Sequence, residues 1–296
     1  MTTVVKTLSL QSTRILAFLK TLLLEHSSIF EWNNMNGPIV VISANNYAYK
    51  DLDTEGRQIQ TRLSQDYDKY FQILKILLAK QPANTIGELI KTNELVRNTI
   101  EQNNTYFTTT IEAYNECKKA IEKQIGLLSH LYDPSNGMPS LIPDTNALIY
   151  FPDISKWTFP EMNQFTIALM PTVLEELDSL KINHNNSTVR EKAEKIIRMI
   201  KGYRNRGSLT EGVNIVKNKI KLVAIPIEPN GIDTLPWIDL RNNDDRFLCS
   251  TVDFIRSHIC SPVIVVSRDI NLQNKCEYAL IPYKEPPEPI STSMGA

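Results

Sequence analysis

The stretch LIPDTNALIYF, Leu141 to Phe151, contains an acidic residue between two apolar segments. Its apolar run stops abruptly at Asp144, and apolar residues resume at Ala147. A short apolar run of this kind is typical of a buried strand, so we expect Asp144 at the carboxyl end of a strand. Open α/β sheets form their functional sites at that edge. The rest of the chain must then supply further strands and partners for this carboxylate.

Residues 138–284 contain short apolar runs that alternate with helical patterns. This alternation predicts an α/β domain with a mainly parallel sheet and helices on both faces. The predicted strands are Leu141–Asp144, Phe165–Met170, Lys221–Ile227, Val263–Val266 and Ala279–Tyr283. The predicted helices are Thr172–Lys181, Thr188–Arg204, Asp244–His258 and Leu272–Tyr278.

Residues 1–132 show a different periodicity, which predicts an all-α N-terminal domain. Helical stripes occupy the ranges Asp51–Lys80, Ile86–Ile100 and Tyr106–Leu131. The apolar segment 39–43 predicts either one short strand or a buried connector. We expect these helices to form a packed core, and they could also support a homo-oligomer or bind a regulatory protein.

Two segments mark the limits of the predicted domains. The turn-forming residues 133–137, DPSNG, predict the boundary between the two domains. The Pro-rich polar tail, residues 285–296, is expected to be disordered. The predicted organisation is therefore a helical domain at 1–132, an α/β domain at 138–284 and a tail.

The composition is that of an ordinary globular protein, with 42% hydrophobic and 22% charged residues. The net charge is −1, so nucleic acid could be bound only through a local basic face. Lys6, Arg14 and Lys20 interrupt the apolar N-terminal stretch and argue against a membrane span. The four cysteines form no CxxC pair and no zinc-ligand spacing with the histidines. These features predict a cytoplasmic protein without a membrane partner.

Three further acidic signals follow predicted strands or open predicted helices. Glu176 lies in PTVLEELDSLK, where a first-turn proline opens a helix and acids also suit the helix dipole. Asp244 lies in NNDDRFLCS, where capping alone would explain an acid. Asp269 leaves the strand 263–266, as Asp144 leaves its own strand. Each of these acids alone has a structural explanation, but the predicted fold places all of them near the same edge of the sheet.

These four carboxylates are expected at one edge of the sheet. In a right-handed βαβ fold, strand carboxyl ends and the following helix starts share that edge. Four carboxylates in one cleft repel each other unless cations lie between them. Hard oxygen ligands without a nearby His or Cys suit Mg²⁺ or Mn²⁺. Such a cluster can activate a water and stabilise an in-line displacement at a phosphodiester.

Four segments of this half resemble, in order, the four motifs of PIN-domain ribonucleases. They are DTNALIY, PTVLEELDSLK, NNDDRFLCS and VVSRDINLQNKC. The resemblance is nearest to the PIN domains of the nonsense-mediated-decay endonucleases and of the PhoH-like proteins, and it covers roughly Leu141 to Tyr283. It implies a PIN-like fold and a metal-dependent endoribonuclease that hydrolyses RNA, single-stranded RNA in particular. The long N-terminal helical domain is not covered by this resemblance.

The resemblance assigns roles to individual positions. The four family acids, which bind the metal and carry out catalysis, fall on Asp144, Glu176, Asp244 and Asp269. Asp244 is preferred for the third acid because Phe247 follows it at the family's spacing, and Asp245 is the alternative. The residues that would support the carboxylates and a metal-bound water are Thr145, Asn146, Ser267 and Asn271.

A local basic segment could bind the RNA backbone. The segment from Arg190 to Lys221 contains ten basic and three acidic residues. Phosphate contacts are predicted for Lys195, Arg198, Lys201, Arg204 and Arg206. Tyr203 could stack on a base. The alternative is a solvated helix face followed by a flexible Gly-rich connector, which is a common surface feature.

Two other functions compete with the nuclease. A non-catalytic RNA-binding or assembly protein could retain the fold and use the helical domain as its partner module. An aspartyl phospho-acceptor at Asp144 is disfavoured, because haloacid-type phosphatases need a second Asp where Asn146 stands. A receiver domain would also need a lysine at the end of a late strand, which the predicted run Ala279–Tyr283 does not offer.

Overall fold

The computed structural model describes residues 3–31, 47–103, 105–131, 137–226, 228–229, 231–258 and 261–289. The chain divides into two compact units, Leu8–Leu131 and a second unit made of Met1–Thr7 with Tyr132–Ala296. The apolar segment 39–43 and the turn residues 133–136 lie outside the described residues. No helix in the described ranges is long and apolar enough to cross a membrane.

Helices dominate the N-terminal part of the chain. They are α1 (Val4–Thr21), which continues in a π-helical turn to His26, α2 (Thr54–Leu78), α3 (Ala83–Ile100) and α4 (Thr110–Ser129). The buried stripe of α2 includes Leu63, Tyr67 and Leu74, at the helical spacing expected for a core-facing surface. Gln124 Nε2 donates to Tyr67 Oη at 2.9 Å, which satisfies polar groups inside this core. The helical prediction is confirmed, with one addition: a short antiparallel pair of β1 (Ile29–Glu31) and β2 (Tyr47–Tyr49).

The second unit is built on a six-stranded, mainly parallel sheet, as predicted. Its strands are β3 (Ser140–Pro143), β4 (Phe165–Leu169), β5 (Val213–Val216), β6 (Ile220–Ala224), β7 (Val263–Val266) and β8 (Tyr283–Lys284). The spatial order is β5-β6-β4-β3-β7-β8, and the β5–β6 pair is antiparallel. Strand β3 therefore lies at the centre, paired in parallel with both β4 and β7.

The helices of this unit are α5 (Thr145–Tyr150), α6 (Pro171–Asn183), α7 (Ser187–Arg204), α8 (Asn243–Ser257) and α9 (Ile270–Tyr278). The four predicted helices agree with α6 to α9 to within two residues at each end. Helix α5 was not predicted, because one and a half turns show little periodicity. Helices α5, α6 and α9 begin directly after three adjacent parallel strands, so their N-termini meet at one edge of the sheet.

Three strand predictions differ from the structure, and the first is Lys221–Ile227, whose strand ends at Ala224. The predicted connector after α7 contains an edge strand, Val213–Val216, which pairs with the next strand through a turn at Asn218 (φ 57°). The predicted strand Ala279–Tyr283 begins only at Tyr283. Its first residues end α9 instead: Leu280 has φ 57°, and the Ile281 N–H donates to the Cys276 carbonyl at 2.9 Å. This is the Schellman arrangement, which satisfies helix carbonyls before the chain extends.

The chain continues past β8 into the segment that was predicted to be disordered. Pro286 is buried, and Glu288 accepts a hydrogen bond from the Tyr150 hydroxyl. These contacts place residues 285–289 against the α/β unit, whereas residues 290–296 lie outside the described part of the chain.

Candidate active site

Asp144 is the N-cap of α5, immediately after the central strand β3. Its Oδ1 accepts the Ala147 backbone N–H at 2.7 Å, and its Oδ2 accepts the Ser267 hydroxyl at 2.5 Å. The Asp144 N–H itself donates to the Val266 carbonyl at 3.0 Å, which ties the end of β3 to the end of β7. Asp144 is only 6% exposed. It is therefore a buried acid with both oxygens oriented.

Ser267 connects Asp144 to Asp269. The Ser267 hydroxyl accepts the Asp269 backbone N–H at 2.9 Å while it donates to Asp144. Asp269 is the N-cap of α9, where its Oδ1 accepts the Asn271 N–H at 2.8 Å. The contact of Asn271 in this network is thus made by its backbone. Gln273 Nε2 donates to the Ser267 carbonyl at 2.9 Å and holds this corner in place.

The two residues that follow Asp144 each contact another predicted acid. The Thr145 hydroxyl donates to Glu176 Oε2 at 2.6 Å. Asn146 Nδ2 lies 3.4 Å from Asp269 Oδ2, at the long end of hydrogen-bond range. The first turn of α5 therefore links Glu176 and Asp269 to the neighbourhood of Asp144.

Charge repulsion and burial act together on Asp144. The pKa of its carboxyl group is raised to about 6, mainly by burial and to a smaller extent by the negative charges of Asp269 and Glu176. The hydrogen bonds from Ser267 and Ala147 act in the opposite direction but do not cancel it. Asp144 consequently carries negative charge at neutral pH that its protein neighbours do not fully compensate.

The third predicted acid lies in a different environment. Asn242 caps α8 and accepts the backbone N–H groups of Asp244 and Asp245. Lys275 Nζ lies 2.7 Å from Asp245 Oδ1 and 3.3 Å from Asp244 Oδ2. Asp245 is buried, and its Oδ2 also accepts the Asp239 N–H at 2.9 Å. Asp245 is therefore bound on both oxygens, whereas Asp244 remains partly exposed.

Sequence reasoning missed Lys275. Burial favours its neutral amine, but the carboxylates of Asp245 and Asp244 outweigh burial and raise the pKa of Lys275. The sequence carries a weak signal, a lysine in the second turn of a helix capped by Asp269. Nothing in the sequence shows that this turn faces the start of α8.

The acids fit a hard divalent cation by chemistry but are not arranged as a preformed chelate. Within the described ranges, no three Asp, Glu, His or Cys side chains are grouped so as to hold a metal ion. The donors are nevertheless carboxylate oxygens, which Mg²⁺ and Mn²⁺ prefer. Burial and the neighbouring carboxylates, which raise the pKa of Asp144, both disfavour a negative charge that such an ion would neutralise.

The predicted basic face is exposed on and just after α7. Its members are Lys195, Arg198, Lys201, Arg204 and Arg206. Arg198 pairs with Glu194 at 2.6 Å, so its charge is partly compensated. The stacking role predicted for Tyr203 is wrong: this residue is only 7% exposed, because it continues the buried stripe of Ile196 and Ile200. The Arg206 guanidinium, 5.1 Å from the ring centroid, also covers its ring.

Residues 141–283 match a family model described as a PIN domain. This half of the chain is a PIN domain. The match begins in β3 and ends in β8, so it contains the four predicted acids, whereas α1 to α4 lie outside it. PIN domains are generally nucleases. A comparison with curated proteins found no match to the chain.

Proposed function

We propose that this protein is a divalent-metal-dependent endoribonuclease that hydrolyses RNA phosphodiesters. The observation that carries the proposal is the linkage of Asp144, Glu176 and Asp269 at one sheet edge by Ser267 and Thr145. The burial of Asp144 beside two more carboxylates is electrostatically costly, and such costs concentrate at functional sites. The PIN-domain match supports the same nuclease chemistry.

The ion would be Mg²⁺ or Mn²⁺, held by Asp144 and Asp269 with Glu176 and Asp244. When bound, such an ion lowers the pKa of a water and stabilises negative charge on phosphoryl oxygens. Ser267 and the Ala147 N–H keep the Asp144 carboxylate oriented, and they also favour its charged form. These orienting contacts exist before substrate arrives, so little reorganisation is needed during the reaction.

The substrate backbone is negatively charged and needs attraction as well as a reactive site. The exposed cations on and just after α7 supply it, and they contact phosphates without reading sequence. Of these, Lys201 and Arg204 line a cavity of about 610 Å³ beside α6. We therefore place the RNA backbone along this face, with single-stranded RNA as the preferred substrate.

The nuclease proposal is tested with end-labelled single-stranded RNA and Mn²⁺. Wild type and Asp68→Asn should cleave it, and Asp144→Asn should not. Asp68 is the matched control, because it is a carboxylate of the helical unit that pairs with Arg97 and lies outside the residues that match a PIN domain. Cleavage that persists in Asp144→Asn would indicate a contaminant. No cleavage by wild type, with no Mn²⁺-dependent rise in melting temperature, would overturn the enzyme proposal.

The ion pairs of Lys275 favour a second candidate, a non-catalytic RNA-binding or assembly protein with a PIN fold. A lysine already compensates Asp244 and Asp245, so part of the acidic cluster is satisfied without a metal. In that case the helical unit would act as the partner module, in a homo-oligomer or with a regulatory protein. RNA binding without cleavage and without metal-dependent stabilisation would favour this candidate.

We also propose that the protein works in the cytoplasm. Cys117, Cys249 and Cys276 are buried free thiols. Free cysteines of this kind are typical of a reducing compartment. Fractionation of cells that produce a tagged protein would test this location.

A further inference from the structure

A groove of about 560 Å³ adjoins the acid cluster. At one side it is lined by Asn146 and Asp269, which also belong to the candidate active site, and on another by Lys192 of α7. Its remaining wall includes Tyr150 and Arg268. The groove is thus continuous with the acids, and its size is in the range of sites that hold a small organic group.

Arg268 forms a flat platform in this groove. Its guanidinium carbon lies 3.8 Å from the centroid of the Tyr150 ring, so the two groups are stacked. The Tyr150 hydroxyl donates to the Glu288 carboxylate, which restrains the ring from its far end. Arg268 is still exposed, and it forms no ion pair with any residue in the described ranges. A restrained, accessible guanidinium plane is a surface on which an unpaired base can stack.

The charges and apolar surface around this platform suit a nucleotide. Lys192 is half-buried and, in the part of the chain that the structure describes, has no carboxylate within ion-pair distance. Lys192 and Arg268 therefore place two cations without ion-pair partners on a groove that Asp269 also lines, and a phosphate would be attracted to the side formed by these two cations. Ile270, which is 71% exposed, adds apolar surface next to Asp269.

We propose that this groove binds the nucleotide next to the scissile phosphate of a single-stranded RNA. The base stacks on the Arg268 guanidinium, and Lys192 contacts a backbone phosphate. Tyr150 is a positioning residue that holds Arg268 flat. The proposal rests on the nuclease function and adds to it a reason for single-strand preference, because only an unpaired base can reach such a platform.

The test measures the binding of fluorescent single-stranded RNA by anisotropy, with Mg²⁺ present and in an Asp144→Asn background that prevents cleavage. Adding Arg268→Ala should weaken binding at least about fivefold, the lower end for loss of one stacked base. Arg268→Lys keeps the charge but not the plane, so binding should be weakened nearly as much. The matched control is Arg62→Ala in the helical unit, whose guanidinium lies over the Phe18 ring at 4.8 Å. It should leave affinity unchanged.

A second arm identifies the stacked base. RNAs that carry one abasic nucleotide at successive positions should reveal a position at which Arg268→Ala no longer weakens binding. Full affinity in Arg268→Ala, or its recovery in Arg268→Lys, would overturn the platform. If wild type cleaves RNA but Arg268→Ala binds normally, the groove proposal alone fails. If wild type neither binds nor cleaves RNA, the nuclease proposal fails with it.

Discussion

The Ser267 hydroxyl donates to Asp144 Oδ2 at 2.5 Å and accepts the Asp269 backbone N–H at 2.9 Å. One buried side chain therefore orients the acids that follow two adjacent strands. Because the hydroxyl has a single proton, donation to Asp144 leaves its lone pairs for the Asp269 N–H. The distance between Asp144 and Asp269 therefore depends on the two hydrogen bonds of Ser267 as well as on the pairing of β3 with β7.

Ser267→Ala should shift the pH dependence of RNA cleavage towards higher pH and lower kcat. The hydrogen bond from Ser267 favours the charged form of Asp144, so its removal raises a pKa that is already about 6. Stability should fall by about 1–3 kcal/mol, since buried partners are left unsatisfied. The measurement is a pH–rate profile with Mn²⁺, together with urea unfolding.

The control for that profile is Ser250→Ala, which removes a buried hydroxyl that donates only to a helix carbonyl, Arg246 O at 3.1 Å. Ser250→Ala should lower the free energy of unfolding but leave the pH–rate profile unchanged. Identical profiles for wild type and Ser267→Ala would show that Ser267 does not tune Asp144.

Asp144→Asn should stabilise the metal-free protein at neutral pH. The Asp144 pKa is raised from 3.8 to about 6 on folding, so between these values the folded state binds more protons than the unfolded state. This contribution to stability is fully present below pH 3.8 and is lost as pH rises through about 6. A pKa shift of this size corresponds to about 3 kcal/mol of stability that wild type loses at high pH. The uncharged amide of the Asp144→Asn variant does not lose this stability.

The measurement compares the free energy of unfolding of wild type and Asp144→Asn at pH 5 and pH 7.5, in EDTA. The difference between the two proteins should grow with pH. Parallel pH curves would contradict the burial of an uncompensated charge at Asp144. The Asp68→Asn control, which removes a carboxylate from the helical unit, should follow the wild-type curve.

Lys275→Met should destabilise the metal-free protein and increase the rise in melting temperature that Mn²⁺ produces. Loss of the ammonium leaves the buried Asp245 without its cation, and breaking a buried pair costs about 3–5 kcal/mol. The same substitution frees Asp244 and Asp245 to attract a divalent ion. Thermal melts with and without Mn²⁺ would measure both effects.

Lys284→Met is the matched control for this experiment. Its side chain is as exposed as that of Lys275, 27%, and it pairs with Glu161 at 2.6 Å instead of with the predicted acids. It should change the melting temperature little and the Mn²⁺ response not at all. An equal Mn²⁺ response in both variants would show that Lys275 does not oppose metal binding.

The double variant Lys201→Ala with Arg204→Ala should weaken RNA binding without altering sequence preference. Both side chains are exposed cations on α7, so their predicted contacts are with phosphates. Removal of each phosphate contact should lower the slope of log affinity against log salt by about 0.7 for a single strand. Titrations at several salt concentrations would measure this slope.

Lys118→Ala with Lys119→Ala, on α4, removes the same charge from the helical unit and serves as the control. It should leave the slope unchanged if the RNA lies along α7. An equal decrease of the slope in the two double variants would assign binding to overall charge instead of to the α7 face.

Local sequence was sufficient for the elements that carry the acids. Asp144 and Asp269 each end a short apolar strand and cap the helix that follows, and both events lie within a few residues of the chain. Prediction failed where the same apolar pattern is compatible with more than one kind of local structure. The apolar run after Cys276 ends a helix before it forms a strand, and the edge strand Val213–Val216 exists only because the neighbouring strand accepts it.

The alternating α/β pattern, the strand-end positions of the acids and their order along the chain follow from the amino-acid sequence, because each depends on local periodicity and capping. Which side chains contact each other depends on the three-dimensional packing. The Ser267–Asp144 hydrogen bond joins residues 123 positions apart, and the Lys275–Asp244 pair joins residues 31 positions apart. Such contacts follow from strand order and helix packing, which bring distant residues together through burial of the whole core.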